Sequence, residues 1–200
     1  MAQPMLRTQR LTLVPLADEH LELEIELDSD PEVMRYLTGR AASRTEVERS
    51  HRRRRHAASR EVPGLGFWVG FAEDGFVGWW LLQPPHGPDQ PKVAGEADLG
   101  YRLLRRRWRH GYATEGAREL IRYGFTDLGL NRIFAQTLAV NTASRATMTA
   151  AGLAFVRAFI SAGHDGDPVP GAEQGEVEYE ITRTTWTQRR GVCRSGEPGN

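Results

Sequence analysis

The stretch EADLGYRLLRRRWRHGYATEGARELI, which begins at Glu96, constrains this chain more than any other. Residues 96–104 read as a strand. They run through a basic turn into apolar positions at helical spacing: Ala113, Ala117, Leu120, Ile121 and Leu128. A strand feeding a helix through a short turn demands an α/β layer. The start of that helix leaves amides without intrahelical partners, and its dipole end is positive, which suits a phosphate anion. Gly111 lets the backbone come close to such a ligand, and the small Ala113 keeps room for it. Arg105, Arg106, Arg107 and Arg109 crowd the same turn. An ordinary strand–helix connection with a solvated arginine cluster explains the residues equally well, so both readings stay open at this level.

The rest of the chain supplies a sheet around this unit. Residues 5–16 alternate as a first strand, and Pro15 suits an edge or a strand end. Asp18 is the expected cap of a helix to about Leu27. Asp30-Pro31 opens a short helix that Gly39 ends. The helix around residues 44–60 is polar nearly all round. FWVGFA and FVGWWLL, separated by Glu73-Asp74-Gly75, predict a β-hairpin. A strand over residues 132–139, a helix capped by Asn141 and ended by Gly152, and strands near 153–161 and 176–184 complete the order. The expectation is one α/β domain over residues 1–186. Its single mixed, mostly antiparallel central sheet has six or seven strands flanked by helices, and residues 187–200 form a polar, disordered tail.

Composition removes several classes. No run approaches the ~18 apolar residues of a membrane span, and the N-terminus lacks a secretory pattern, so no membrane partner is expected. One cysteine, Cys193, cannot make an internal disulfide, which suits a cytoplasmic setting. The formal net charge is zero, and the arginine runs 52–55 and 105–109 lack interleaved aromatics apart from Trp108. Nucleic acid is therefore not the expected partner. His51, His56 and His110 have no third ligand at metal spacing, so no metal is expected.

The central unit resembles motif A of the GNAT superfamily of N-acetyltransferases. That signature is Arg/Gln-x-x-Gly-x-Gly/Ala, and this chain carries Trp108-Arg109-His110-Gly111-Tyr112-Ala113. LGYRL before it and TEGA after it are similar to the ribosomal-protein alanine N-acetyltransferase (RimJ/RimL-like) branch. So are TQRLTLVPL, DPEVMRYL, NRIFAQTLAVNTASRATMTAAGLAFV and EYEITRTTW, so the resemblance spans residues 5–186. Two departures stand out. Arg109 replaces a glycine usual in the branch, and Gly152-Leu153 replaces Gly-Phe.

The resemblance implies a sheet splayed at its centre and acetyl-CoA as cosubstrate. An amine would attack the thioester directly. Its source would be a protein N-terminal α-amino group or a small molecule. A homodimer is common among such enzymes. The implied carbonyl donor is the Leu103 N–H, with Leu104 close by. Trp108 and the turn from Arg109 through His110, Gly111, Tyr112 and Ala113 to Thr114 would hold the pyrophosphate. Many relatives protonate the thiolate with a tyrosine, but that position here is Met148. Ser144 is the branch's alternative, beside Asn141 at the cofactor, and a thiol near pKa ~8.5 needs little help. Helix capping explains Asn141 and Ser144 as well. For the base, Glu96, Asp98, Glu178 and Glu180 are candidates, and Asp98 is preferred because relatives carry an acid there. The acceptor pocket falls on residues 28–45 and 162–176, where Asp165, Asp167 and Glu173 are either cation-attracting or simply solvated. The alternative to an enzyme is a non-catalytic acyl-CoA-binding module of the same fold.

Overall fold

A computed structural model describes residues 3–58, 62–87, 89–161 and 169–194. Among them one sheet runs β1(Leu6–Arg7), β2(Thr12–Pro15), β3(Gly66–Ala72), β4(Gly75–Gln83), β5(Glu96–Leu103), β6(Arg132–Leu138), β8(Glu176–Thr182), β7(Ala154–Phe159) in spatial order. Every neighbouring pair is antiparallel except β5–β6. The helices are α1(Leu21–Asp28), α2(Pro31–Met34), α3(Arg44–Ala58), α4(Tyr112–Thr126), α5(Thr142–Ala151) and α6(Arg183–Arg194).

The sheet has eight strands, where six or seven were expected. The single strand expected over residues 5–16 is two. Thr8 turns the chain between them: its Oγ1 accepts the Leu11 N–H at 2.9 Å, and its own N–H donates to Leu11 O. Leu13 then pairs with Leu6, and both are buried.

The tryptophan-rich hairpin explains the two-layer core. Consecutive strand residues face opposite sides. Trp68, Trp80 and Leu82 therefore join Leu120, Ile121 and Ile133 beneath α4 and α5, while Phe67, Trp79 and Leu81 join Leu27 and Leu104 beneath α1. Trp80 lies against α4 because residue 116 is glycine. A Cβ there would meet the indole at 2.4 Å, and the indole Nε1 donates to Ala113 O at 3.2 Å. This contact fixes the start of α4 against the sheet.

α3 packs inward although its sequence is polar. Val47 is buried on its inner face, where His51 and Arg54 meet Glu24 and Asp28, two buried carboxylates of α1. His51 Nδ1 lies 2.5 Å from Glu24 Oε2, Arg54 also bonds Glu24, and Arg102 Nη1 donates to Asp28 at 2.5 Å. The Arg54 and Arg102 guanidinium groups lie 5.2 and 4.8 Å from the Trp79 ring. Burial lowers the Arg102 pKa, and Asp28 opposes that.

Two further expectations are corrected. Asp18 does not cap α1. It opens a 3-10 turn, Asp18–His20, in which His20 Nδ1 accepts the Ala17 N–H at 3.0 Å. The chain past Trp186 is helical to Arg194, not irregular, while residues 195–200 of the expected tail lie outside the described residues. α6 is held by contacts its sequence hides. Arg183 Nε donates to Leu130 O at 2.7 Å, Arg189 Nη1 to Gly152 O at 2.6 Å, and Trp186 meets the Phe125 ring at 5.5 Å.

The β5–β6 pairing covers only Glu96↔Arg132, Ala97↔Ile133 and Asp98↔Phe134. Above that point β5 stays paired to β4 up to Leu103, and β6 to β8 up to Leu138. The sheet therefore divides into two halves that part at the centre, and the cleft between them opens at the start of α4.

Candidate active site

The turn from Leu104 to Gly111 brings the motif residues together. A 3-10 turn, Arg105–Arg107, is followed by extended Trp108. Arg109 and Gly111 then take left-handed backbone, with φ of 63° and 80°. Left-handed residues thus stand on either side of His110, the kind of turn from which backbone amides build an anion-binding concavity. Gly111 places no side-chain cap on α4, which leaves the amides at Tyr112, Ala113 and Thr114 free of side-chain acceptors. Arg109 adopts the left-handed conformation that its glycine counterpart would favour, and among the described residues it is the non-glycine residue with positive φ.

The arginines of the turn divide by role. Arg107 Nη1 donates to Asp74 at 2.5 Å, and Arg106 pairs Glu26 at 2.7 Å. Among the described residues no hydrogen bond or ion pair holds the guanidinium of Arg105 or Arg109. Trp108 Nε1 donates to Leu103 O at 2.9 Å, and His110 stacks on Tyr112.

A residue far away in sequence braces the turn. Arg10 Nη1 donates to His110 O at 3.0 Å, and its guanidinium lies 4.7 Å from the Tyr112 ring. Its Nε donates to Glu115 Oε2 at 2.7 Å, while the Thr8 hydroxyl donates to Glu115 Oε1 at 2.6 Å. Burial alone would raise the Glu115 carboxyl. The donors from Thr8 and Arg10 outweigh it and hold the group below its ordinary range. Thr8, Arg10 and Glu115 also line a cleft of about 800 Å³ that runs along α4 past Thr114 and Arg118.

Leu103 ends β5 on the edge of the gap between the two sheet halves, a separate place from the cleft along α4. Leu104 N–H donates to Val77 O at 3.0 Å, and Leu103 stands opposite Gly78. Hydrogen-bonded and non-hydrogen-bonded pairs alternate along an antiparallel ladder. The amides of Leu103 and Tyr101 therefore point away from β4 and into the parted gap.

α5 meets this gap from the far side. Asn141 caps it: its Oδ1 accepts the Ser144 N–H at 3.2 Å, and its Nδ2 donates to Thr137 Oγ1 at 3.1 Å. Tyr101 OH donates to Ser144 O at 3.0 Å and lies 3.2 Å from Ser144 Oγ. Burial pushes the Tyr101 phenol up to about 12, so it stays a donor. Met148 is buried in the core.

The four candidate carboxylates separate sharply. Arg132 reaches Glu96, Glu178 and Glu180 at 2.7, 2.6 and 2.5 Å. Glu178 also accepts from Gln136 and Arg157, which hold it below the ordinary range against the effect of burial. Asp98 has no such cation. It accepts from Gln90 Nε2 at 3.4 Å, with His86 Nδ1 at 3.8 Å. Burial raises its pKa, and His86 opposes that.

Asp165 and Asp167 lie outside the described residues, and Glu173 is exposed in a 3-10 turn, Ala172–Gln174. Among the described residues no group of three or more His, Cys, Asp or Glu is placed to hold a metal ion, and no helix is long and apolar enough to cross a membrane. Arg10, Tyr101 and His86 were not anticipated as site residues. Tyr101 stands inside the LGYRL motif and Arg10 inside TQRLTLVPL, whereas nothing near His86 signals a role.

Known proteins carry the same pattern. The model of the Acetyltransferase (GNAT) domain matches residues 10–154. The FsC-acetyl coenzyme A-N(2)-transacetylase of Aspergillus fumigatus is 46% identical over 199 residues, 97% of this chain and 83% of that protein. An uncharacterized N-acetyltransferase, p20, of Bacillus licheniformis is 32% identical over 70% of this chain and 76% of its own. Among solved structures, spermidine N-acetyltransferase from Vibrio cholerae in complex with CoA and spermine superposes with a TM-score of 0.70 at 16% identity, covering 90% of this chain and 99% of that one. RimL, the ribosomal L7/L12 α-N-protein acetyltransferase in complex with CoA, superposes at 0.72 with 14% identity, covering 91% and 99%. The divided sheet, the open helix start and the matched sequence agree: the chain belongs to the GNAT family and is an N-acetyltransferase that carries the acetyl group of acetyl-CoA to an amine.

Proposed function

We propose that the acceptor is an amino nitrogen of a small molecule, of the kind named by the N(2) of FsC. The observation that carries this reading is the 46% identity to the FsC transacetylase across 97% of the chain. A protein N-terminus is the second reading. It draws on the segments similar to the ribosomal-protein branch, LGYRL and GYATEGA among them, because a 14% identical RimL structure speaks only for the fold.

In this reading the amides from Arg109 to Thr114 take the pyrophosphate at the positive end of α4, with the Arg109 guanidinium and Trp108 beside it. The inward amides of Leu103 and Tyr101 suit the thioester carbonyl, whose oxygen gains charge as the amine attacks. Asn141 holds the first turn of α5 so that Ser144 Oγ faces the leaving sulfur, and Leu104 closes the strand end. Asp98 lies on the opposite face of β5 from Tyr101 and Leu103. Its raised pKa suits a group that takes the amine's proton.

An acceptor screen tests the choice. Purified protein, acetyl-CoA and either FsC or peptides with free N-termini are scored by product mass. Acetylation of FsC at its N(2) nitrogen is the expected result. Peptide acetylation with no FsC product would replace this reading by the second.

A further inference from the structure

We propose that His86 is the proton outlet of Asp98, carrying the acceptor's proton from a buried carboxylate to solvent. The proposal rests on reading Asp98 as the group that takes that proton.

Asp98 needs such a partner. Its side chain is 14% exposed, so a proton it accepts has little direct contact with water. The charged groups around it are committed elsewhere. From β6, Arg132 is surrounded by Glu96, Glu178 and Glu180; from β7, Arg157 is bound to Glu178. Glu178 on β8 is itself a nearby negative charge that disfavours a second one on Asp98. His86 is therefore the titratable neighbour left to exchange with it. It lies in the connection between β4 and β5, with Nδ1 3.8 Å from Asp98 Oδ2 and a side chain 58% exposed. Both ring nitrogens lie within reach of Gln83 Nε2, Nδ1 at 3.0 Å and Nε2 at 3.2 Å, and the exposed side chain as a whole gives the ring its access to water.

The connection is built to hold that ring in place. Gln90 Oε1 accepts the N–H groups of His86 at 3.0 Å and Gly87 at 3.1 Å, while its Nε2 donates to Gln136 Oε1 at 2.9 Å and toward Asp98. Gln83 Nε2 contacts the imidazole at 3.0 Å, and Ser161 Oγ donates to Asp89 Oδ2 at 2.9 Å. Gln90 thus ties the backbone of His86 to both Asp98 and β6. Glutamines around the pair adjust to either protonation state without adding charge.

The proton count closes. An ammonium acceptor releases one proton to Asp98 Oδ, which passes it to His86 Nδ1, and Nε2 yields a proton to buffer. The freed lone pair forms the N–C bond, the C–S bond breaks, and the sulfur leaves with that electron pair. The nitrogen's second proton balances the one the thiolate takes up. The products are the amide, the CoA thiol and one proton in solvent.

A shuttle to solvent has a signature that a structural role lacks, namely rescue by small bases. His86→Ala and Asp98→Asn are assayed at low buffer concentration with FsC, or with the peptide of highest turnover if FsC yields no product. The choice of acceptor is thereby judged separately. The expected result is a fall in kcat of about a hundredfold for His86→Ala, the lower end of a general acid–base contribution, with an unchanged KM for acetyl-CoA. Added imidazole restores most of it. Asp98→Asn is slow and imidazole does not restore it. If Asp98→Asn keeps wild-type turnover, the reading of Asp98 fails and the outlet fails with it. If Asp98→Asn is slow but His86→Ala is unimpaired, or is impaired beyond rescue by imidazole, the outlet alone is overturned.

Discussion

Glu115 accepts the main-chain N–H of Arg10 at 2.8 Å and the Arg10 Nε at 2.7 Å, although 105 residues separate them. This pair clamps the β1–β2 turn onto the first turn of α4, and Arg10 reaches on to the His110 carbonyl. Hydrogen bonds that involve charged groups contribute about 1.5–3 kcal/mol each. Arg10→Ala should therefore loosen the pyrophosphate turn more than the chemistry. The expected outcome is a KM for acetyl-CoA raised about tenfold with kcat within about twofold, a loss of about 1.4 kcal/mol of binding. Steady-state kinetics with varied acetyl-CoA checks it; a fall in kcat alone would contradict the assignment.

The same clamp predicts a pH dependence. The Glu115 carboxyl is lowered in the folded protein, so its contribution is fully present above the unfolded value of about 4.3 and is lost as pH falls through the lowered folded value. Urea unfolding of the wild type and Glu115→Gln should differ at pH 7 and converge in acid below that window. A constant difference across the range would show that the carboxylate's charge is irrelevant.

Arg109 holds a left-handed backbone at φ 63°. A β-carbon there costs about 1–2 kcal/mol. Arg109→Gly should stabilise the free protein by about 1 kcal/mol, a rise of roughly 2–4 °C in Tm. It should weaken acetyl-CoA binding, because a guanidinium that has no partner among the described residues is lost. Calorimetry of the two proteins, each with and without acetyl-CoA, separates the effects. Tighter cofactor binding by the variant would remove Arg109 from the pyrophosphate site.

Tyr101→Phe removes the hydroxyl that lies on both oxygens of Ser144. Stability should fall by about 1 kcal/mol. If the phenol acts by holding Ser144, the turnover losses of Tyr101→Phe and Ser144→Ala will not add. Additive losses in a double-mutant cycle on kcat would mean that the two hydroxyls act independently.

Gly116→Ala drives a methyl group into the Trp80 indole, whose nearest atom is 2.4 Å from the new Cβ. Overpacking of this kind costs about 1–3 kcal/mol. The displaced helix carries the pyrophosphate turn with it, so acetyl-CoA should protect the variant less in a thermal shift than it protects the wild type. Equal protection would mean that the start of α4 does not depend on its seat on Trp80.

The local elements were legible because their signals are local. The Asp74-Gly75 hairpin, the α5 boundaries set by Asn141 and Gly152, and the strand–turn–helix of β5 and α4 each follow from residues within one or two turns of one another. Where the partner lies far away, the reading stops short. α3 looks solvated until Glu24 and Asp28 are opposite it, and α6 looks irregular until Leu130 O and Gly152 O receive its arginines.

By itself, then, the sequence determined the elements of an α/β sheet and an anion-ready helix start at Gly111, since periodicity, caps and turn residues act over a few positions; that the sheet parts at its centre came only as an implication of the family resemblance. Only the tertiary structure decided which charged groups are free to act. Arg132 commits three of the four candidate carboxylates and leaves Asp98 with His86; Arg106 and Arg107 are paired and Arg109 is not; Tyr101, not a residue at position 148, meets Ser144. Ion pairs and buried hydrogen bonds depend on distances of a few ångströms between segments tens of residues apart, and no local pattern encodes those distances.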